Sequence, residues 1–199
     1  LACPQNQVDL DQVNFDACAG GAVEVHGGGA LTLRGGALRK NRAARGGALL
    51  VSDGGTVDVQ SATLEDNTAD SQGGAIYIAS GGTLHLANRT RITCPGRERC
   101  APKGGGGSVY SEVEWKYTLP APLAHYVIAS DGVARLEPGA VDEEYPYACA
   151  ATLFGRTYDV ADQSGPQCTD SCPAGFFCGK ATIDPEPCAA GTYCKVASP

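Results

Sequence analysis

The stretch from Gly20 to Ile92 writes one pattern three times, and this repeat constrains the fold more than any other feature of the chain. It reads GGAVEVHGGGALTLRGGALRKN, then GGALLVSDGGTVDVQSATLEDN, then GGAIYIASGGTLHLANRTRI. Gly20, Gly46 and Gly73 open the copies, 26 and 27 residues apart. Each copy holds three short apolar-alternating segments separated by Gly-rich or polar corners, the pattern of a solenoid. Three strands of about five residues with their corners complete one triangular turn of a parallel β-helix, and successive turns stack at about 4.8 Å.

Aligning the copies separates an inside from an outside. Val23, Leu49 and Ile76 share one column and Val25, Val51 and Ile78 another, both pointing inward, while Glu24, Leu50 and Tyr77 alternate outward. In the second strand Leu31, Val57 and Leu84 form one inward ladder and Leu33, Val59 and Leu86 a second, with Thr32, Asp58 and His85 facing solvent. Leu38, Leu64 and Ile92 continue the interior. Val8, Leu10 and Phe15 fit the same columns, so a partial turn precedes Gly20 and about four rungs are expected. Asn41 and Asn67 stand at equivalent corners, where a short amide bonds neighbouring backbone and tolerates an unusual conformation; they are expected to stack as a structural ladder.

The net charge of −7, with 15 Lys and Arg, offers no basic stripe for phosphate, so nucleic acid is not an expected partner. The ten cysteines fall in clusters: Cys3 and Cys18; Cys94 and Cys100; then Cys149, Cys168, Cys172, Cys178, Cys188 and Cys194. With only three His beside them, they point to disulfides and an oxidising, extracellular setting more than to zinc. Proximity suggests that Cys3 with Cys18, and Cys94 with Cys100, staple the two ends of the solenoid, where strand edges need a cap. The chain starts at Leu1 without an initiator Met or an apolar targeting run, the start expected of a processed protein or an excised fragment. No segment approaches the roughly 20 apolar residues of a membrane span, so direct membrane insertion is not expected. Asn88-Arg89-Thr90 is an N-glycosylation acceptor sequence, conditional on secretion and exposure.

Lys103 to Ser108, KGGGGS, breaks the organisation and reads as a flexible loop or segment boundary; it also matches a common engineered linker. Beyond it Val109 to Leu119 alternates and is rich in Tyr, Trp and Val, hence a strand. Ala124 to Ile128 and Gly132 to Leu136 suggest two more, joined at Ser130-Asp131-Gly132 as a hairpin. Trp115, Tyr117, Tyr126 and Ile128 are expected to cover the last rung or a neighbouring domain, with a partner-binding aromatic face as the alternative. Asp142, Glu143 and Glu144 lack the ligand spacing of a calcium loop and read as a solvated acidic turn.

The tail carries Cys172-Pro-Ala-Gly-Phe-Phe-Cys178 and Cys188-Ala-Ala-Gly-Thr-Tyr-Cys194, two copies of C-x-x-G-x-aromatic-C. The Gly permits a tight turn, the aromatic supplies what core there is, and so small an aliphatic content needs staples. The domain reading is therefore a β-helix over 1–103, a β-rich cap or connector over 104–148 and a Cys-rich module over 149–199, all-β throughout.

Two resemblances follow from these motifs. The GGA[IVL] repeat with a following [LF]-x-x-N, as in Gly73-Gly74-Ala75-Ile76 and Leu64-x-x-Asn67, resembles the repeats of polymorphic outer-membrane and adhesin-type right-handed β-helices of the pectin-lyase-like fold. The tail from Cys168 to Cys194 resembles the Cys-rich repeats called ephrin-receptor-like. Together, in an Ala- and Gly-rich chain, they resemble extracellular proteins of green algae, including cell-wall glycoproteins and those of ciliary mastigonemes. The resemblance implies a glycosylated piece of a fibrous or surface assembly built with other extracellular protein chains.

Many β-helices cut acidic polysaccharides, with carboxylates and a base gathered on one face. Here Asp58 and His85 are the best stacked pair, without a second acid in their column, and Arg39 with Glu65 reads as a surface pair. His26, His85 and His125 are spread along the chain and read as isolated surface or packing residues. No cofactor or metal site is expected. The reading is a non-catalytic structural or adhesive protein; the alternative is a carbohydrate-binding module in which Tyr77, Trp115 and Tyr117 contact sugar or a partner.

Overall fold

The computed structural model describes residues 7–11, 14–16, 21–93, 107–141 and 144–196, the first two segments by their backbone alone. Cys3, Cys18, Cys94, Cys100, Asp142 and Glu143 lie outside the described residues, as does most of KGGGGS. Two compact units divide the chain: Leu1–Tyr117 with Arg135–Tyr145, and Thr118–Ala134 with Pro146–Pro199. Segment 104–148, read from sequence as one connector, contributes to both.

The first unit is a parallel β-solenoid of about three turns. One face stacks Val23–Val25, Leu49–Val51, Ile76–Ile78 and Val109–Ser111 in parallel, with Gly139–Val141 added antiparallel at the end. A second face runs Gln7–Asp11, Ala30–Arg34, Thr56–Gln60, Thr83–Ala87, Trp115–Thr118 and Val133–Leu136. The third face orders Asn14–Asp16, Ala37–Arg39, Thr63–Glu65 and Arg91–Thr93.

The registers join the residues that share a column in the sequence. Val23 pairs with Leu49 and Leu49 with Ile76; Leu31 with Val57 and Val57 with Leu84; Leu38 with Leu64 and Leu64 with Ile92. Val8 pairs with Leu31, Leu10 with Leu33 and Phe15 with Leu38, which places the partial first turn in the same columns. Val25, Val51, Leu64, Ile76, Ile78, Leu86 and Ile92 are fully buried, each rung closing the apolar surface of the next.

Three local readings change. Two successive turns have a fourth strand, Arg42–Arg45 pairing in parallel with Thr68–Gln72, where the sequence suggested a corner. Its polar side chains carry no alternation; backbone pairing and the Arg42–Asp70 ion pair at 2.6 Å hold it. Gly107-Ser108-Val109, the end of the Gly-rich break, opens a further rung: Gly74 N–H donates to Gly107 C=O at 2.9 Å and Ala75 N–H to Ser108 C=O at 2.8 Å. Gly47 and Ala48 bond Gly74 and Ala75 in the same way one turn earlier, at 3.1 and 2.8 Å. The expected single strand 109–119 accordingly splits into Val109–Ser111 and Trp115–Thr118 at a rung corner.

In the second unit the expected hairpin between Ala124–Ile128 and Gly132–Leu136 is absent. His125–Tyr126 pairs instead with Tyr147–Ala148, and Val133–Leu136 belongs to the second solenoid face. Leu153–Phe154 pairs with Asp170–Ser171 and Phe176–Phe177 with Glu186–Pro187, all antiparallel, around one helical turn at Val160–Gln163. Disulfides join Cys149 to Cys168, Cys172 to Cys178 and Cys188 to Cys194, with Cα separations of 6.1, 5.8 and 6.2 Å. They are the chemistry of an oxidising compartment. No helix among the described residues is long and apolar enough to cross a membrane.

Candidate functional site

The outward columns of the solenoid carry its chemistry-bearing side chains. On the second face Asp58 and His85 are register partners on adjacent rungs, and His85 Nδ1 lies 3.4 Å from Asp58 Oδ1. Gln60 Nε2 donates to Asp58 Oδ2 at 3.0 Å, and Thr32 occupies the same column one rung earlier. Both members of the pair are about one third exposed. The arrangement is a carboxylate oriented by an amide and facing an imidazole, able to hold or pass one proton. A second acid in register would be needed to protonate a leaving group while the first takes a proton. The register partner of Asp58 on the other side is Thr32, a hydroxyl.

Tyr77 sits in the outward column of the first face, yet it is 1% exposed, not open to solvent as its column suggests. Tyr110, its register partner on the next rung, stacks on it with ring centroids 5.7 Å apart and planes 8° apart. Arg45 covers it, with the guanidinium carbon 4.7 Å from the ring centroid and Nη1 donating to the phenol oxygen at 3.1 Å. The Tyr77 hydroxyl donates in turn to Glu112 Oε1, whose other oxygen accepts the Ser80 N–H at 2.9 Å. Burial, then the Glu112 carboxylate, hold the Tyr77 phenol above its ordinary range. The phenol and the Ser80 N–H hold Glu112 below the usual carboxylate range. Such a phenol is a poor base and such a carboxylate is already bonded on both oxygens, so the group ties rungs together at neutral pH.

Trp115 and Tyr117 are 2% and 0% exposed. They meet Tyr145 edge-on at 5.3 and 5.5 Å, and the Tyr117 hydroxyl donates to Thr90 C=O at 2.9 Å. Tyr145 exchanges backbone hydrogen bonds with Ile92 at 2.8 and 3.0 Å, so this cluster closes the interior of the last rung. Burial pushes the Tyr117 phenol up. Tyr77, Trp115 and Tyr117 therefore present no open ring face. Among the described residues the exposed rings lie in the second unit: Tyr158, Phe176, Phe177 and Tyr193.

Asn41 and Asn67 are buried together. Asn67 Oδ1 accepts the Asn41 N–H at 3.0 Å and Asn41 Nδ2 at 2.9 Å, and Asn67 Nδ2 donates to Leu38 C=O at 2.8 Å. Asn88 is exposed in a turn at φ 51°, its side chain 3.4 Å from Gln60 Oε1; Thr90 of the same acceptor sequence is buried, its hydroxyl donating within reach of Val59 and Ala87 C=O at 3.0 and 2.7 Å. Arg39 pairs with Glu65 at 3.2 Å across the surface. Glu144 of the acidic run pairs with Arg91 at 3.2 Å. His125 is a packing residue, its Nδ1 2.8 Å from Leu123 C=O. Among the described residues no three His, Cys, Asp or Glu gather as a metal site.

The Arg45–Tyr77–Glu112 group escaped the sequence reading because its members are 32 and 35 residues apart and only Tyr77 lies in an apolar repeat. No protein-family model, curated protein or solved structure matches this chain.

Proposed function

We propose that the chain contributes a rigid, non-catalytic β-helical rod to an extracellular surface or filament assembly of the cell-wall or ciliary-mastigoneme kind. Other extracellular protein chains are its partners, and Asn88 is its glycosylation candidate. The observation that carries the reading is the unbroken parallel register from the Gln7–Asp11 rung to Val109–Ser111. Each rung pairs its backbone with its neighbours, so stiffness comes from backbone ladders and adds up with rung number. The buried Asn41–Asn67 ladder and the Tyr77–Glu112 group tie rung to rung on top of that, which suits a load-bearing element. The disulfides of the tail support a place outside the cell.

The test is to make the chain through an oxidising secretory route and follow it two ways. Extracellular material cross-linked in place and analysed by mass spectrometry is expected to join this chain to other structural chains. Incubation with neutral and acidic polysaccharides is expected to release no product. Polysaccharide turnover would replace the reading with an enzyme, with Asp58 and His85 the first residues to substitute. Saturable oligosaccharide binding without turnover would replace it with a carbohydrate-binding module.

A further inference from the structure

The second unit repeats one backbone motif four times, twice without the cysteine pair that marks it in the sequence. The copies are 121–127, 149–155, 172–178 and 188–194. In each, the fourth residue has positive φ: Ala124 at 57°, Thr152 at 89°, Gly175 at 83° and Gly191 at 83°. In each, the fifth N–H donates to the second C=O: His125 to Pro122 at 3.2 Å, Leu153 to Ala150 at 3.1 Å, Phe176 to Pro173 at 3.2 Å and Thr192 to Ala189 at 3.0 Å. The sixth residue is aromatic throughout: Tyr126, Phe154, Phe177 and Tyr193.

Every copy but the last is engaged by its successor in one way. The fourth C=O accepts the first N–H of the next copy: Ala124 from Cys149 at 2.8 Å, Thr152 from Cys172 at 2.8 Å, Gly175 from Cys188 at 3.0 Å. The fourth N–H donates to the seventh C=O of the next copy: Ala124 to Gly155 at 2.7 Å, Thr152 to Cys178 at 3.0 Å, Gly175 to Cys194 at 3.0 Å. The fifth and sixth residues pair antiparallel with the two residues before the next copy, His125 with Ala148, Leu153 with Ser171 and Phe176 with Pro187.

The covalent closure differs from copy to copy while the backbone does not. Cys172–Cys178 and Cys188–Cys194 close the last two loops. In the second copy Gly155 takes the seventh position, where a Cβ would lie 2.8 Å from Ala124 Cα and 3.1 Å from Cys149 Sγ, and Cys149 bonds Cys168 instead. In the first copy Ala121 is clamped by the buried Gln163 amide, which accepts its N–H at 2.9 Å and donates to its C=O at 3.0 Å.

The geometry points to the edge of the fourth copy, Gly191-Thr192-Tyr193, as the docking surface for one further copy of this seven-residue loop, engaged as each earlier copy is engaged by its successor. Among the described residues Gly191 N–H and C=O have no backbone partner, and Tyr193, equivalent to the paired Phe177, is 77% exposed. The occupant is a further copy of the loop because each of the three earlier edges is met by one, whose first N–H reaches the fourth C=O while its seventh C=O accepts the fourth N–H, whether closed by its own disulfide, as 172–178 and 188–194 are, or not, as 149–155. The second unit is on this inference an extendable stack, independent of whether the solenoid serves as a rod.

The test appends a duplicate of residues 179–194 directly after Cys194, reproducing the 16-residue step from Cys172 to Cys188. Amide hydrogen exchange is read by NMR at Gly191 and, as an internal control of folding, at Gly175. The expected result is a rise in Gly191 protection of at least about tenfold, towards that of Gly175, with the added cysteines bonded to each other. A scrambled extension of the same composition is expected to leave Gly191 fast. Gly191 exchanging at its original rate while Gly175 stays protected would overturn the proposal, as would equal protection by the scrambled extension.

Discussion

The side-chain oxygen of Asn67 accepts both amides of Asn41, the backbone N–H at 3.0 Å and Nδ2 at 2.9 Å, one full turn of the solenoid away. Both residues are buried, so each of these groups would otherwise lie out of reach of water. Polar atoms thus form part of the ladder that the aliphatic columns build.

Asn67→Ala removes two bonds from Asn41 and one to the Leu38 carbonyl at once, all of them buried. A cost of about 2–4 kcal/mol is expected, against about 1 kcal/mol for an ordinary surface hydrogen bond. Urea unfolding of the variant beside Arg39→Ala, which removes only a half-exposed ion pair, separates the two.

The corner glycines differ in what they tolerate. A Cβ at Gly73, where φ is +62°, would lie 2.0 Å from Ile76 C=O, whereas at Gly28, φ +76°, nothing lies within 4 Å. Gly28→Ala should cost about 1 kcal/mol of backbone strain alone. Gly73→Ala should cost several times that, about 3 kcal/mol or more, because backbone must move. Thermal unfolding of the pair measures the difference.

Stability should fall on the alkaline side. Tyr77 and Tyr117 have raised phenol values in the fold, while in the unfolded chain they ionise near the usual value of about 10. The unfolded state therefore loses its protons first as pH rises, and their contribution, complete below about pH 10, is lost above it. Tyr117→Phe is expected to flatten this decline between about pH 9 and 12, while losing about 1 kcal/mol at neutral pH with the bond to Thr90. Glu112 acts in the opposite direction: its value is lowered, so its contribution is full above the ordinary carboxylate range and fades as pH falls below it.

Thr152 occupies the position held by glycine in the two Cys-closed loops, at φ 89°. Thr152→Gly should relieve about 1 kcal/mol of strain, partly offset by the freedom glycine adds to the unfolded chain, for a net gain of a few tenths of a kcal/mol. Calorimetry of the second unit's transition in the intact chain checks the sign; a loss of stability would mean that the Thr152 side chain contributes more than its backbone costs.

The inside of the solenoid was legible because apolar side chains at period two, repeated every 26 or 27 residues, leave one register that buries them all. From the GGA motif and the columns through Leu31, Leu38 and Val51, fold class, rung order and pairing partners follow without coordinates. The Arg42–Arg45 strand was not legible, since a polar strand held by backbone bonds leaves no trace in side-chain periodicity. The first two loops of the second unit were hidden for the same reason: APLAHYV and CAATLFG share with CPAGFFC a set of backbone bonds and a φ, not a cysteine spacing. Nor does the alternation of Tyr77 with Ile76 and Ile78 disclose its burial, because alternation says which face a side chain takes and not what covers that face. Arg45, Tyr110 and Glu112 come to it from other rungs. The sequence by itself determined what each rung buries. Only the tertiary structure decided what the outer columns meet and which backbone edges are already paired, because those depend on distances between residues that no local pattern encodes.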